Sequence, residues 1–192
     1  MEFDFFLLLE SVAVIAGFTC VYWQTRENIW AWPAGLLSVI LYTYIFWDIN
    51  LYSDMILNGT YIVLNLYGWW AWRNRKAAID NLKVSTLKRW EQLVVALLML
   101  FGTYAWGSLM QQQTDAAFPF GDAFTTVTSL IAQYLLTRKV IDNWLLWIIA
   151  DVVAIYIYVV KGLYLTAILF VGYLLLCVLG YLAWRKTMVR AA

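Results

Sequence analysis

Seven apolar stretches, each about long enough to cross a lipid bilayer as a helix, constrain this chain more than any other feature of its sequence. They cover residues 5–23, 30–47, 51–72, 91–110, 118–136, 143–160 and 163–184. The hydrocarbon core of a bilayer is about 30 Å thick, which requires roughly 20 residues of helix. Of the 192 residues, 64% are hydrophobic and 13% are charged, whereas about 25% are charged in a typical soluble domain. The sequence therefore predicts an all-α membrane protein with seven transmembrane helices.

The basic residues lie almost entirely on one side of the predicted spans. If the N-terminus is outside, every Lys and Arg except Lys161 falls in a segment that faces the cytoplasm. Cytoplasmic loops of membrane proteins carry an excess of these residues. We therefore predict an outside N-terminus, an inside C-terminus and a cytoplasmic loop at 73–90. The first apolar stretch follows Glu2 and Asp4 rather than Lys or Arg, so no signal peptide is expected.

The sequence contains an internal repeat with an offset of 112 residues. Matched pairs include Glu10 with Asp122, Tyr22 with Tyr134, Thr25 with Thr137, Arg26 with Arg138, Tyr61 with Tyr173, Gly68 with Gly180 and Trp72 with Trp184. A three-residue slip would align Asn28 and Trp32 with Asn143 and Trp147. Each repeat would hold three helices, and a linker helix would bring the second repeat in with the orientation of the first, as in SWEET sugar transporters. We predict a single transmembrane domain over 1–192, with repeat one at 5–73, a linker helix at 90–110 and repeat two at 118–185.

Polar side chains follow one face of two predicted spans. Asn58, Tyr61 and Asn65 lie three or four residues apart in the third span, and Gln133 and Thr137 lie four apart in the fifth. Residues at these spacings share a helical face. Such a stripe either lines a path for a polar solute or holds neighbouring helices together by hydrogen bonds. The amides both donate and accept, which favours the path, whereas the Thr137 hydroxyl also fits a contact between helices.

Asp151 lies near the middle of the sixth apolar stretch. A charged side chain at the centre of a membrane helix costs roughly 2.5–3.5 kcal/mol or more, so this carboxylate indicates a function. Trp147 precedes Asp151 by one turn. Under the three-residue slip, the repeat mate of Asp151 would be Leu36. An aromatic face beside a carboxylate suits a flat cation. We predict a substrate pocket near the midplane, between the repeats, lined by Asn58, Tyr61, Asn65, Gln133, Thr137, Trp144, Trp147 and Asp151.

Other functions fit the sequence less well. There is no histidine, and we interpret Cys20 and Cys177 as packing residues because apolar surroundings favour the unreactive thiol. No nucleophile–base pair, metal cluster or phosphate loop is recognisable, so we predict neither an enzyme nor a cofactor, and a net charge of +1 does not indicate nucleic acid. Two alternatives stay open. A SWEET-type sugar uniporter would not need the charge of Asp151, and a proton-coupled vitamin transporter would use the carboxylate to carry a proton.

Several segments resemble the PnuC family of bacterial vitamin transporters. They are Pro119-Phe120, Thr137-Arg138-Lys139, the stretch from Asp142 to Trp147 and the stretch from Leu66 to Trp72. The resemblance covers nearly the whole chain. It implies a full-length SWEET-like fold in the bacterial cytoplasmic membrane and facilitated diffusion of a small cationic vitamin, which a cytosolic kinase then traps by phosphorylation. Nicotinamide riboside is the first expected substrate and thiamine is nearly level with it, because Asp151 stands where we expect Asn in the nicotinamide riboside branch. The sequence leaves a homo-oligomer open.

Overall fold

The computed structural model of the protein describes the backbone of residues 2–48, 52–77, 83–113 and 118–191, and these residues form seven α-helices. The helices are α1 (Glu2–Thr25), α2 (Ala31–Asp48), α3 (Tyr52–Ala77), α4 (Arg89–Gln113), α5 (Pro119–Thr137), α6 (Asp142–Val160) and α7 (Tyr164–Ala191). The predicted all-α fold with seven helices is confirmed. The polar loop expected at 73–90 is shorter than predicted, because α3 continues through charged residues that follow its apolar part.

Within the described part of the chain, four helical segments are long and apolar enough to cross a bilayer by length and composition alone. They are Phe6–Thr25, Arg89–Gln113, Asp142–Val160 and Thr166–Val189. A fifth apolar segment, Ala31–Ile45, is shorter. α3 and α5 are not among these segments within the described residues, and both carry the polar stripes predicted from the sequence.

The chain divides into two compact units, Met1–Lys83 and Val84–Ala192. In the first unit, α2 contacts both α1 and α3. In the second unit, α5 contacts α4 and α6, and α6 also contacts α7. The helix predicted as a linker, α4, therefore packs with the second unit. The predicted single domain over 1–192, with its two repeats, stays a prediction.

The same pair of packed tryptophans occurs inside each unit. In the first unit, the rings of Trp32 and Trp72 meet edge to face, with centroids 5.3 Å apart and planes at 83°. In the second unit, Trp144 and Trp184 meet at 5.5 Å and 89°. All four side chains are almost completely buried. The pairs are 112 residues apart, so the repeat seen in the sequence also appears in the packing of each unit.

The turns that follow α1 and α5 also share one backbone geometry. Glu27 and Lys139 have φ values of 52° and 54°, in the left-handed region that few residues other than glycine adopt. The N–H of Arg26 donates to the Trp23 carbonyl at 3.1 Å, and the N–H of Arg138 donates to the Leu135 carbonyl at 3.1 Å. The two turns therefore match residue by residue at an offset of 112.

This match corrects the predicted three-residue slip. Trp32 corresponds to Trp144 in ring packing and turn geometry, not to Trp147. The slip is wrong because the backbone stays in register through the turn while the side chains diverge. The repeat mate of Asp151 is therefore Val39 rather than Leu36.

Two short connections position the ends of α6. Before it, the Leu87 N–H donates to Oδ2 of Asp142 at 2.9 Å, and the Ile141 N–H donates to the Ser85 carbonyl at 2.8 Å. After it, the tight hairpin predicted at Lys161 and Gly162 is present, and Gly162 adopts a φ of 73° that glycine tolerates without strain. The hairpin predicted between the second and third spans falls on residues 49–51, outside the described part of the chain.

Candidate functional site

A buried carboxylate in the middle of α6 is the most unusual group of the second unit. The Asp151 side chain is 4% exposed, and its Oδ2 accepts a hydrogen bond from Sγ of Cys177 on α7 at 3.6 Å. Among the described residues this thiol is its only partner, and no basic side chain lies within ion-pair distance. An ionised carboxylate accepts about four hydrogen bonds, and a thiol is a weak donor. The described helices therefore leave much of the hydrogen-bonding capacity of Asp151 unused.

Trp147 lies one turn before Asp151 on the same helix. Residues four apart in a helix are surface neighbours. The Trp147 ring is partly buried and packs against a cluster on α5, the following turn and α6, formed by Ala132, Leu135, Val140 and Leu146. The cluster holds one part of the indole, so the ring is anchored next to the carboxylate in sequence and in helical phase.

Two other predicted site residues of the second unit have structural contacts. Trp144 is 1% exposed and lies against Trp184 and the glycine at position 180. The Thr137 hydroxyl donates to the carbonyl of Tyr134 at 2.6 Å, within its own helix. Trp144 and Thr137 have packing or capping roles that their mates in the first unit share, and their contact with a substrate stays a prediction.

Gln133 is buried on α5, with 6% of its surface exposed. A buried amide carries donors and acceptors that must find partners inside the protein or in a bound solute. Gln133 fits the predicted polar path by its burial. Its role in binding stays a prediction.

Asn65 on α3 is the corresponding buried polar group of the first unit. Its Nδ2 donates to the carbonyl of Tyr61 at 2.8 Å, whereas its Oδ1 is buried without a donor among the described residues. The amide lies over Gly35 of α2, where a Cβ would come within 2.6 Å of Oδ1. Asn58 and Tyr61 are half-buried on the same helix. The first unit therefore holds an acceptor that a bound donor could satisfy.

One further residue, Cys177, belongs to this arrangement and is not predicted by the sequence. Beyond the packing role expected for it, its thiol contacts Asp151 across the α6–α7 pair. No spacing in the sequence indicates this contact, because it depends on how the two helices are rotated against each other.

Together, the fold and these groups define an α-helical membrane protein that buries a carboxylate and amides between apolar helices. Intramembrane ionisable residues typically mark substrate or ion pathways. The chain belongs to the nicotinamide mononucleotide transporter family, which its residues 7–186 match. It is a transporter and not an enzyme, as predicted.

Individual relatives agree with this membership. The chain is 30% identical over 185 residues to the nicotinamide riboside transporter PnuC of Escherichia coli, covering 81% of this chain and 76% of the relative. It is 29% identical over 196 residues to PnuC of Neisseria mucosa, covering 95% and 73%. It is 24% identical over 178 residues to the riboflavin/roseoflavin transporter RibM of Streptomyces davaonensis, covering 91% and 83%.

A solved structure resembles the whole chain. The crystal structure of the vitamin B3 transporter PnuC superposes with a TM-score of 0.77 at 28% identity, covering 96% of this chain and 83% of that one. The predicted membership of the PnuC family is confirmed. The SWEET-like arrangement of the repeats stays a prediction.

Proposed function

We propose that this protein carries a small cationic vitamin or vitamin precursor across the bacterial cytoplasmic membrane by facilitated diffusion. Nicotinamide riboside is the first candidate and thiamine the second. The names of the PnuC relatives support the first candidate. A cytosolic kinase that phosphorylates the substrate would trap it inside the cell.

The buried carboxylate of Asp151 is the observation that carries this proposal. Its single partner among the described residues, the Cys177 thiol, leaves it without a compensating positive charge. An unpaired buried charge is costly, and a cationic substrate would reduce that cost on binding. Nicotinamide riboside and thiamine both carry a positive charge on a flat aromatic ring, which also suits the indole face of Trp147.

The two candidate substrates differ in the polar groups that they present. A carboxylate accepts hydrogen bonds but donates none. The amino group of the thiamine pyrimidine and the ribose hydroxyls of nicotinamide riboside can both donate to it, so Asp151 accommodates either. Riboflavin, the neutral substrate named for the RibM relative, would leave the charge of Asp151 unpaired and is therefore the weaker candidate.

Binding to the purified protein tests the proposal directly. Isothermal titration should detect nicotinamide riboside or thiamine and should give much weaker signals with riboflavin and glucose. Replacing Asp151 by Asn keeps the shape of the side chain and removes the charge. It should weaken binding of the cation by roughly 1–3 kcal/mol, the scale of a hydrogen bond to a charged group.

Neutral ligands supply the control. The reduced dihydro form of nicotinamide riboside lacks the ring charge, and the substitution of Asp151 should change its binding little. Equal affinity of the parent and D151N for the cation would refute the ion-pair proposal. Tight glucose binding would instead favour the sugar uniporter.

The proposed transport mode has its own test. Uptake into liposomes that contain the protein should equilibrate the substrate at the same rate with and without a proton gradient. Uphill accumulation driven by a proton gradient would favour the proton-coupled alternative, in which Asp151 carries the proton.

We also propose that the N-terminus is outside and the C-terminus inside, on the distribution of Lys and Arg. A cysteine introduced at the exposed position Lys83 should react with an impermeant maleimide only after the inner face has been opened. Labelling in intact cells would overturn this orientation.

A further inference from the structure

We propose that Cys177 is a positioning residue for substrate selectivity, whose thiol holds the Asp151 carboxylate in the orientation that meets a cation. This inference rests on the proposed function, because it assigns Asp151 to cation binding. It adds a residue on a different helix, α7, that acts through the carboxylate.

The geometry of the pair supports this role. Both side chains are 4% exposed, and the 3.6 Å contact from Sγ to Oδ2 joins α7 to α6. Among the described residues, no other hydrogen bond orients the carboxylate. A carboxylate without this donor could turn about its side-chain bonds, so the thiol defines which oxygen stays available to a ligand.

The first unit shows that helix packing alone does not require this pair. The position equivalent to Cys177 is Asn65, and the position equivalent to Asp151 is Val39. The Asn65 amide donates to the Tyr61 carbonyl of its own helix, and the valine at position 39 offers no polar side-chain group to it. A polar contact between these two positions therefore occurs in the second unit alone, within the described part of the chain.

The chemistry of a thiol fits the positioning of a charged group that must still bind a ligand. A thiol is a weaker donor than a hydroxyl or an amide. It can orient the carboxylate without satisfying it, and the second oxygen with its lone pairs stays available for a cation. A strong donor at this position would compete with the substrate for the same charge.

The test compares C177A and C177S with the parent. Titrations use nicotinamide riboside as the cation and its dihydro form as the uncharged ligand of similar shape. Cys177→Ala removes the donor and should weaken cation binding by about three- to ten-fold, the scale of one hydrogen bond, with little change for the dihydro form. Cys177→Ser orients the carboxylate with a stronger donor that also competes for its charge, so it should recover only part of the preference for the cation.

A second buried cysteine provides the matched control. Cys20 is 7% exposed on α1, and its Sγ accepts a hydrogen bond from Gln24 at 3.2 Å rather than contacting a carboxylate. Cys20→Ala should leave the ratio of the two affinities unchanged. Thermal unfolding of each variant reports whether a loss of binding reflects a loss of folded protein.

The double variant separates this inference from the proposed function. If the thiol acts through the carboxylate, Cys177→Ala should have no further effect on the ratio in a D151N background. If D151N abolishes the preference for the cation but C177A leaves it intact, the positioning role is overturned and the proposed function stands. If D151N itself leaves the preference intact, the ion-pair function fails, and the positioning role fails with it.

Discussion

Two helical glycines that accommodate tryptophan rings should be the positions least tolerant of a single added methyl group. An ideal Cβ at Gly68 would overlap the ring of Trp32, and one at Gly180 would lie 2.7 Å from the ring of Trp144. Real Cβ contacts are longer than 3 Å, so the ring or the helix must move. Each ring is held by a second tryptophan at an angle near 90°, which leaves it little room to shift.

A third glycine isolates the steric cost. Gly59 lies on α3, the same helix as Gly68, and a Cβ there would meet nothing within 4 Å. Alanine favours a helix over glycine by roughly 1 kcal/mol, and this gain applies to all three positions. Because it cancels in the comparison, the difference between G68A and G59A measures overpacking, which costs about 1–3 kcal/mol.

The expected effect is measurable as thermal stability in detergent. A difference of about 1–3 kcal/mol corresponds to a Tm about 2–12 °C lower for G68A or G180A than for G59A, using about 2–4 °C per kcal/mol for a chain of this size. Size-exclusion chromatography after a heating series would give the three values. Equal Tm values for G68A and G59A would refute the proposed packing of the first unit, and the same result with G180A would refute that of the second.

Two further predictions concern individual contacts. Trp147→Ala should weaken substrate binding more than Trp70→Ala, because Trp70 is 62% exposed and stacks only on Tyr67 among the described rings; equal losses in titration would refute the helical phase of Trp147. Asp142→Ala should lower the free energy of unfolding by about 1 kcal/mol, because it removes the acceptor for the Leu87 N–H. Asp142→Asn should lose less stability, because its Oδ1 still accepts this hydrogen bond. An unchanged Tm for Asp142→Ala would mean that the bond contributes nothing.

The helices could be predicted from the sequence because a membrane span requires a continuous apolar stretch of about 20 residues. Each predicted stretch coincides with a helix to within a few residues, except that α3 and α7 extend further past the apolar part. A helix satisfies its own backbone hydrogen bonds, so it can continue into water without an apolar face. Hydropathy alone therefore underestimates the ends of these helices.

The tryptophan pairs and the two turns agree with the 112-residue offset, but the slip predicted through the first turn is wrong. Asn28 resembles Asn143, and this side-chain match suggested a slip. The structure matches the backbone instead: Glu27 and Lys139 differ in charge but share a left-handed conformation. Side-chain identity is a poor guide here, because the hydrogen bonds that the two turns share run between main-chain groups, whereas Asn28 accepts from the Trp30 N–H and Asn143 donates to the Val140 carbonyl.

The candidate site could be predicted only as far as helical phase allows. Asn65, Gln133 and Asp151 are buried, whereas Asn58 and Tyr61, on the same predicted face as Asn65, are half-buried, and the pocket that they would line stays a prediction. Helical phase could not indicate that Trp144 packs against the tryptophan at position 184 or that Cys177 contacts the carboxylate. Both contacts join different helices, and the rotation of one helix against another is not visible in the spacing of residues along either.

Asp151 indicates a function only if a carboxylate inside a membrane helix is costly, and the first unit offers a position at which to measure that cost. Val39 occupies the equivalent place on α2 and is partly buried, and its α3 counterpart to Cys177 is Asn65. Val39→Asp should lower the yield of folded protein and its Tm, because a charge in a membrane helix costs roughly 2.5–3.5 kcal/mol and this one would bind no substrate. Val39→Thr, of similar volume, controls for the loss of the apolar side chain. If Val39→Asp proved as stable as Val39→Thr, a carboxylate at this depth would be inexpensive, and the presence of Asp151 would no longer indicate selection for cation binding.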